Sequence, residues 1–249
     1  MIHKNEEVLK YWNKEDVESM YDKHLINAEI SLIKSHIPIG AKILDAGCGE
    51  GEGTFEYSKV NGVKIHAVDF SETRLNKAKW LLKGKANVNF AQVDLTDPKG
   101  LNNDYDIIIS QRVLINLMEW ELQERVINDL MNRLKKGGKY FMLEGNQDGV
   151  DELNEFRKIF NLSEIPVKWH NKFFRNDSIN NLIKKNNYIL ESEYGLGEYF
   201  LLTRGIRPVF SEDLDWDNPF NEISAKERIA KLLDLNTKFS RLKLWIISK

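Results

Sequence analysis

The run Ile43-Leu44-Asp45-Ala46-Gly47-Cys48-Gly49-Glu50-Gly51-Glu52-Gly53-Thr54 narrows the choice of folds more than any other part of the chain. It reads as a buried strand that stops in a glycine-rich turn and then opens a helix. Glycines at such a turn allow positive φ and let the backbone approach a ligand closely. The spacing is G-x-G-x-G, which differs from the G-x-G-x-x-G of dinucleotide binders, and no Lys-Ser or Lys-Thr follows, as a phosphate-cradling loop requires. Asp45 precedes the turn, where a positively charged amine can be met. The pattern favours an adenosine ligand with a cationic tail and no phosphate.

Two further strands extend this reading. Val63–Phe70 is apolar and carries Asp69 about 20 residues or slightly more past the glycine turn, the spacing at which nucleotide-binding α/β folds hold ribose hydroxyls. Phe70 follows and can pack on an adenine face. Val88–Leu95 places Asp94 where it can accept from the adenine amino group. Three strands ending in carboxylates make one crevice at the carboxyl edge of a parallel sheet.

On these motifs, which cover about residues 40–145, the chain resembles the class I S-adenosylmethionine (SAM)-dependent methyltransferases. The resemblance implies an α/β, Rossmann-like, seven-stranded and mostly parallel sheet with helices on both faces and an antiparallel C-terminal strand pair. It implies SAM as cofactor. Gly47 and Gly49 would allow close approach, with Asp45 near the methionine amine and Asp69 on the ribose diol. Asp94 and the Leu95 backbone would hold adenine, and Gln111 would line the methionine end. Tyr21 is the candidate partner of the cofactor carboxylate.

Composition bounds the rest. A chain of 249 residues is long enough for one ordinary α/β domain with a large core. With 42% hydrophobic and 30% charged residues, the expectation is a soluble, globular protein. A net charge of −2 argues against a strongly electrostatic nucleic-acid binder. The lone Cys48 excludes an internal disulfide and offers no metal cluster. Met1–Glu7 lacks an apolar leader core, and no apolar run reaches the ~18 residues that span a bilayer. The expectation is a cytoplasmic protein that needs neither membrane nor nucleic acid; its oligomeric state is left open.

Along the chain, Val17, Met20, Tyr21, Leu25, Ala28, Leu32 and Ile33 recur at helical spacing over about 14–36. This gives a helical lid over residues 1–38 of a single 1–249 domain. Ser71 is the expected N-cap of a helix whose apolar face is Leu75, Ala78 and Leu82. Tyr105–Ser110 reads as a strand covered on both faces. A helix is expected from Glu119 to Lys136, stopped by Gly137-Gly138, and then a strand over Lys139–Glu144. Tyr188–Arg204 is strand-like but interrupted by Gly195 and Gly197. A helix over about 221–235 and a strand over Arg241–Ile247 follow. Residues 145–187 and 205–238 would be insertions over the carboxyl edge, on the acceptor side.

Methyl transfer from a sulfonium is an in-line displacement in a site closed to water. An alcohol acceptor also needs a general base. His170, in an irregular segment on the acceptor side, is the first candidate, and Glu144, at the end of a strand, is its competitor. Many small-molecule O-methyltransferases carry histidine near the position of Asn116, which here can orient a hydroxyl but cannot take its proton. Tyr194, Tyr199, Arg204 and Arg207, with Trp216 and Arg241, lie in the tail segments and suit an acceptor that combines anionic and ring groups. The reading is O-methylation of a small molecule, with a nucleotide-linked sugar of polysaccharide biosynthesis as the candidate acceptor. The alternatives are a small-molecule N-methyltransferase and a non-catalytic SAM-binding partner protein.

Overall fold

Adjacent residues of a strand face opposite ways, and here both faces are apolar. Ile43 and Leu44, Ile107 and Ile108, Tyr140 and Phe141, and Trp245 and Ile246 divide between two separate core clusters. The computed structural model describes residues 7–8, 10–14, 21–212 and 215–249. Seven strands form one sheet: β1 (Lys42–Ala46), β2 (Lys64–Asp69), β3 (Val88–Gln92), β4 (Tyr105–Gln111), β5 (Leu134–Gly145), β6 (Ile189–Gly195) and β7 (Leu242–Ser248). Their spatial order is β3-β2-β1-β4-β5-β7-β6. The first five pair in parallel, while β7 runs antiparallel to β5 and β6 on either side of it. This is the sheet that the resemblance implied.

Helices cover both faces. In chain order the first six are α1 (Lys23–Lys34), α2 (Glu52–Tyr57), α3 (Glu72–Leu81), α4 (Trp120–Asn132), α5 (Gln147–Ile159) and α6 (Asn176–Asn186). Ile26, Ile30 and Ile33 of α1 and Tyr57 of α2 fill one cluster, and Val126, Ile127, Leu130 and Met131 of α4 with Ile179 and Leu182 of α6 fill the other. Further along the chain come α7 (Gly197–Phe200), a π-helical stretch (Leu201–Ile206), α8 (Arg207–Phe210), α9 (Pro219–Ser224) and α10 (Glu227–Leu233). Ser71 caps α3 by accepting from the Arg74 amide, and Leu75, Ala78 and Leu82 are buried. None of the helices among the described residues is long and apolar enough to cross a membrane.

Four local expectations are revised. Within the described residues the first long helix begins at Lys23, where Asp22 accepts from the Leu25 amide at 3.0 Å; Val17 and Met20 lie outside those residues. The helix expected to reach Lys136 ends at Asn132, and Lys135, Lys136 and the Gly137-Gly138 pair belong to β5. Leu134 pairs with Tyr105, the register then shifts, and Gly137 takes φ +78°, so the glycines form a bulge in a strand rather than a helix stop. The strand-like run after Tyr188 ends at Gly195, whose amide donates to the Asn236 Oδ1 at 2.9 Å; Tyr199 to Arg204 are helical. The helix expected over 221–235 is two, broken at Ala225-Lys226.

The order of pairing reverses between β1 and β4, so the crevice opens at the carboxyl ends of these two strands.

Candidate active site

A cavity of about 600 Å³ lies in that crevice. Its floor is the turn after β1, where Gly47, Gly49 and Gly51 have φ of +82°, +55° and +89°. The Gly47 and Cys48 amides both donate to the Val68 carbonyl, which folds the turn back on β2. A Cβ at Gly47 would stand 2.3 Å from Val113 Cγ2, so no larger residue fits beneath the acceptor-side loop. At Gly49 the surrounding space is open.

Two buried carboxylates flank this turn. Asp45 accepts from the Thr54 hydroxyl at 2.5 Å, and burial pushes its pKa up to about 6. Asp69 accepts from the Ser71 amide on one oxygen and from the Gly49 amide on the other, both at 2.9 Å; burial raises its pKa as well. Asp69 is thus tied to the glycine turn itself. Asp94 holds the next turn by accepting from the Thr96 amide (2.8 Å) and hydroxyl (2.7 Å). Asp45, Gly47, Gly49, Asp69, Phe70, Asp94, Leu95 and Gln111 all line the one cavity.

Gln111 is fixed from both ends. Its amide nitrogen donates to Glu29 of α1 at 2.8 Å, and its oxygen accepts from the Tyr57 hydroxyl at 3.0 Å. The next residue, Arg112, has φ +56° and forms an ion pair with Glu29 at 3.0 Å while lining the cavity. A non-glycine residue in this conformation is a local strain that its partners hold in place. Tyr21, by contrast, is 64% exposed and outside the cavity lining.

The acceptor side is built from the loop after α5 and from Val8, Tyr11 and Trp12. His170 is buried and lines the cavity, and its Nδ1 has no hydrogen-bond partner among the described residues. The Tyr11 ring stacks on it at 4.6 Å and the Trp12 ring meets it edge-on at 5.3 Å. Burial first, and Lys168 second, lower the His170 pKa, which favours the neutral imidazole. Asn116 lines the cavity too, but its oxygen accepts from Trp12 Nε1 at 2.9 Å and its amide donates to the Arg112 carbonyl at 3.1 Å. Its contacts pin the Trp12 segment as a roof. Arg74 adds to this by donating to the Trp12 carbonyl and lying 4.7 Å over its ring.

Glu144 is fully buried and not part of the cavity wall. It accepts from the Ser110 hydroxyl and from the Val113, Leu114 and Ile115 amides, which holds the short 3-10 turn Leu114–Asn116. Burial pushes its pKa up to about 7. The geometry gives Glu144 a positioning role for the 113–116 loop, from behind the cavity wall. Tyr194 and Tyr199 are also outside the cavity: the first packs against His36 at 4.5 Å, and the second donates to Asp22 at 2.7 Å. Arg207 binds the Asp215 carbonyl and Asn221 Oδ1. Arg204 does line the cavity, paired with Asp22 and lying 4.3 Å over the Trp216 ring. Sequence reasoning missed Trp12, Glu29, Arg74, Arg112, Lys168, Asn171 and Phe173, which reach the cavity or its supports from elements remote in the chain.

Residues 43–138 match the methyltransferase domain family. The demethylmenaquinone methyltransferase of Staphylococcus haemolyticus is 24% identical over 149 residues, 59% of this chain and 61% of that protein. The ribosomal RNA small subunit methyltransferase G of Christiangramia forsetii is 29% identical over 66% of this chain and 81% of its own length. Among the first relatives, the match therefore spans less than two thirds of the staphylococcal protein. The geranyl diphosphate C-methyltransferase of Streptomyces coelicolor A3(2), solved with Mg2+, geranyl diphosphate and S-adenosyl-L-homocysteine, shares the fold at a TM-score of 0.61 and 13% identity, over 98% of both chains.

The segment 43–138 is thus similar to the methyltransferase domain family, and it is set in a sheet shared with SAM-dependent methyltransferases of known structure. The relatives' names carry unlike acceptors, a quinone precursor and a ribosomal RNA, and the sugar subtype expected from the sequence is not carried by them.

Proposed function

We propose that the protein transfers the SAM methyl group to a hydroxyl of a small molecule, with His170 as general base. The observation that carries this reading is the buried Nδ1 of His170, without a hydrogen-bond partner among the described residues, in the same cavity as the glycine turn. The residues fit the cofactor: Gly47 and Gly49 leave room for backbone approach, Asp45 faces the amine, Asp69 the ribose diol, and Asp94 with Leu95 the adenine. Arg112, beside Gln111, takes the part expected of Tyr21 toward the cofactor carboxylate. When bound, SAM supplies a methyl group on a positively charged sulfur, a good leaving group. The chain's own part would be to hold an acceptor hydroxyl in this cavity in line with that methyl group, with His170 Nδ1 taking the hydroxyl proton as the methyl group is received. Tyr11 and Trp12 roof the site against water.

Cations on the acceptor side, Lys168, Arg204 and Arg241, support a nucleotide-linked sugar as the first acceptor to try. His170→Ala should lower kcat by about 10²–10⁴-fold on whichever acceptor of a nucleotide-sugar, sugar-phosphate, phenol and amine panel is methylated, and leave SAM affinity unchanged. An unaltered rate would remove the base and favour N-methylation of a neutral amine. SAM binding with no turnover on any acceptor would favour a binding protein.

A further inference from the structure

The cavity carries more positive charge on its acceptor side than its own carboxylates balance. Arg204 is paired with Asp22. Arg241 and Lys168 line the cavity without a carboxylate partner among the described residues, and Arg157 beside them donates only to the Ser163 and Arg204 carbonyls. Arg241 has one weak bond, to the Pro166 carbonyl at 3.4 Å, and lies 5.9 Å over the Phe173 ring. Burial first, then Arg204 and Arg157, lower its pKa to about 10, so it stays charged at neutral pH with no counter-ion. Placing like charges together in a half-buried wall costs stability unless an anion completes the arrangement.

The placement is built in. The Arg241 carbonyl accepts from the Asn146 amide at 2.8 Å, and the Ser240 carbonyl accepts from the Asn146 side chain at 3.0 Å. Helix α5 can approach this backbone only because residue 149 is glycine: a Cβ there would stand 1.9 Å from the Ser240 oxygen. Pro166, Lys168, His170 and Phe173 come from one loop, so the arginine and the base share a wall.

We infer that this wall is a phosphate subsite, in which Arg241 grips a phosphoryl group of the acceptor with Lys168 and Arg204 lining the same cavity. A guanidinium fork meets either a phosphate or a carboxylate in two parallel hydrogen bonds. The charge left unbalanced exceeds one unit, which matches a dianion better than a single carboxylate. Calling the ligand the acceptor rests on the methyl-transfer reading, whereas the anion site does not.

The test is calorimetric titration of inorganic phosphate, and separately acetate, into protein with and without S-adenosylhomocysteine. The variants are Arg241→Met, Arg241→Lys and, as a surface control, Arg228→Met. Phosphate should bind the wild type more tightly than acetate, at least tenfold more weakly to Arg241→Met, with Arg241→Lys between and Arg228→Met unchanged. Should Arg241→Met fail to fold by circular dichroism, Arg241→Lys carries the comparison. Absent phosphate binding, binding indifferent to residue 241, or acetate binding as tightly as phosphate would overturn the inference. Phosphate binding lost with Arg241 in a protein that ignores S-adenosylhomocysteine would keep the anion site and sink the methyl-transfer reading instead.

Discussion

In the proposed site, the buried carboxylate of Asp45 couples cofactor binding to acidity. Its pKa is raised to about 6, chiefly by burial. An ammonium group binds the ionised form, so protonation competes with binding once the pH falls through 6. SAM affinity should therefore weaken by up to about tenfold per unit as the pH falls below 6. Titrations at pH 7.5, 6 and 5 would show this, and Asp45→Asn should bind weakly at all three. A pH slope that persists in the variant would assign it to another group. Asp45, Asp69 and Asp94 were legible in the sequence because each stands at a fixed offset from its own strand. Arg112 was not, because its pairing with Glu29 joins the end of β4 to a helix about eighty residues earlier.

At the scale of elements, legibility followed locality. The strand–turn–helix at β1, the cap at Ser71 and the doubly covered β4 are written in short patterns. The errors arose where a distant partner decided the conformation. Lys135 and Lys136 read as the end of a helix until β4 is there to pair with Leu134–Gly145. Tyr199–Arg204 read as strand until Asp22 draws both residues to the N-terminus of α1. The junction between α5 and the start of β7 is the most exacting of these contacts. Gly149→Ala should destabilise the protein by about 2–3 kcal/mol, read as a lower urea midpoint at unchanged slope. An unchanged midpoint would mean that the Ser240 backbone can yield.

For the whole molecule, the cavity joins α1, the edges of β1, β2 and β4, the loop after α5 and the start of β7. A ligand there bridges parts of the chain that are remote in sequence. SAM at about 100 times its Kd adds about 2.7 kcal/mol to stability, which for a domain of this size is a rise in Tm of roughly 5–10 °C. Thermal melts with SAM, S-adenosylhomocysteine and NAD should show the rise for the first two only, and Asp69→Ala should abolish it. A comparable rise with NAD would return the glycine turn to the dinucleotide binders.

The insertion of β7 between β5 and β6 has a consequence for how the chain is made. Strands β1 to β5 emerge from the ribosome in an order that lets each pair soon after a neighbour. The nascent β6 has no partner, because the strand it must join is Leu242–Ser248, translated about fifty residues later and fully buried once in place. The cofactor half of the sheet can thus condense early, while Tyr188–Gly195 waits beside an open β5 edge. That interval, with the apolar β5 edge unpaired on one side of the gap and β6 unpaired on the other, is when this protein has most to gain from a chaperone.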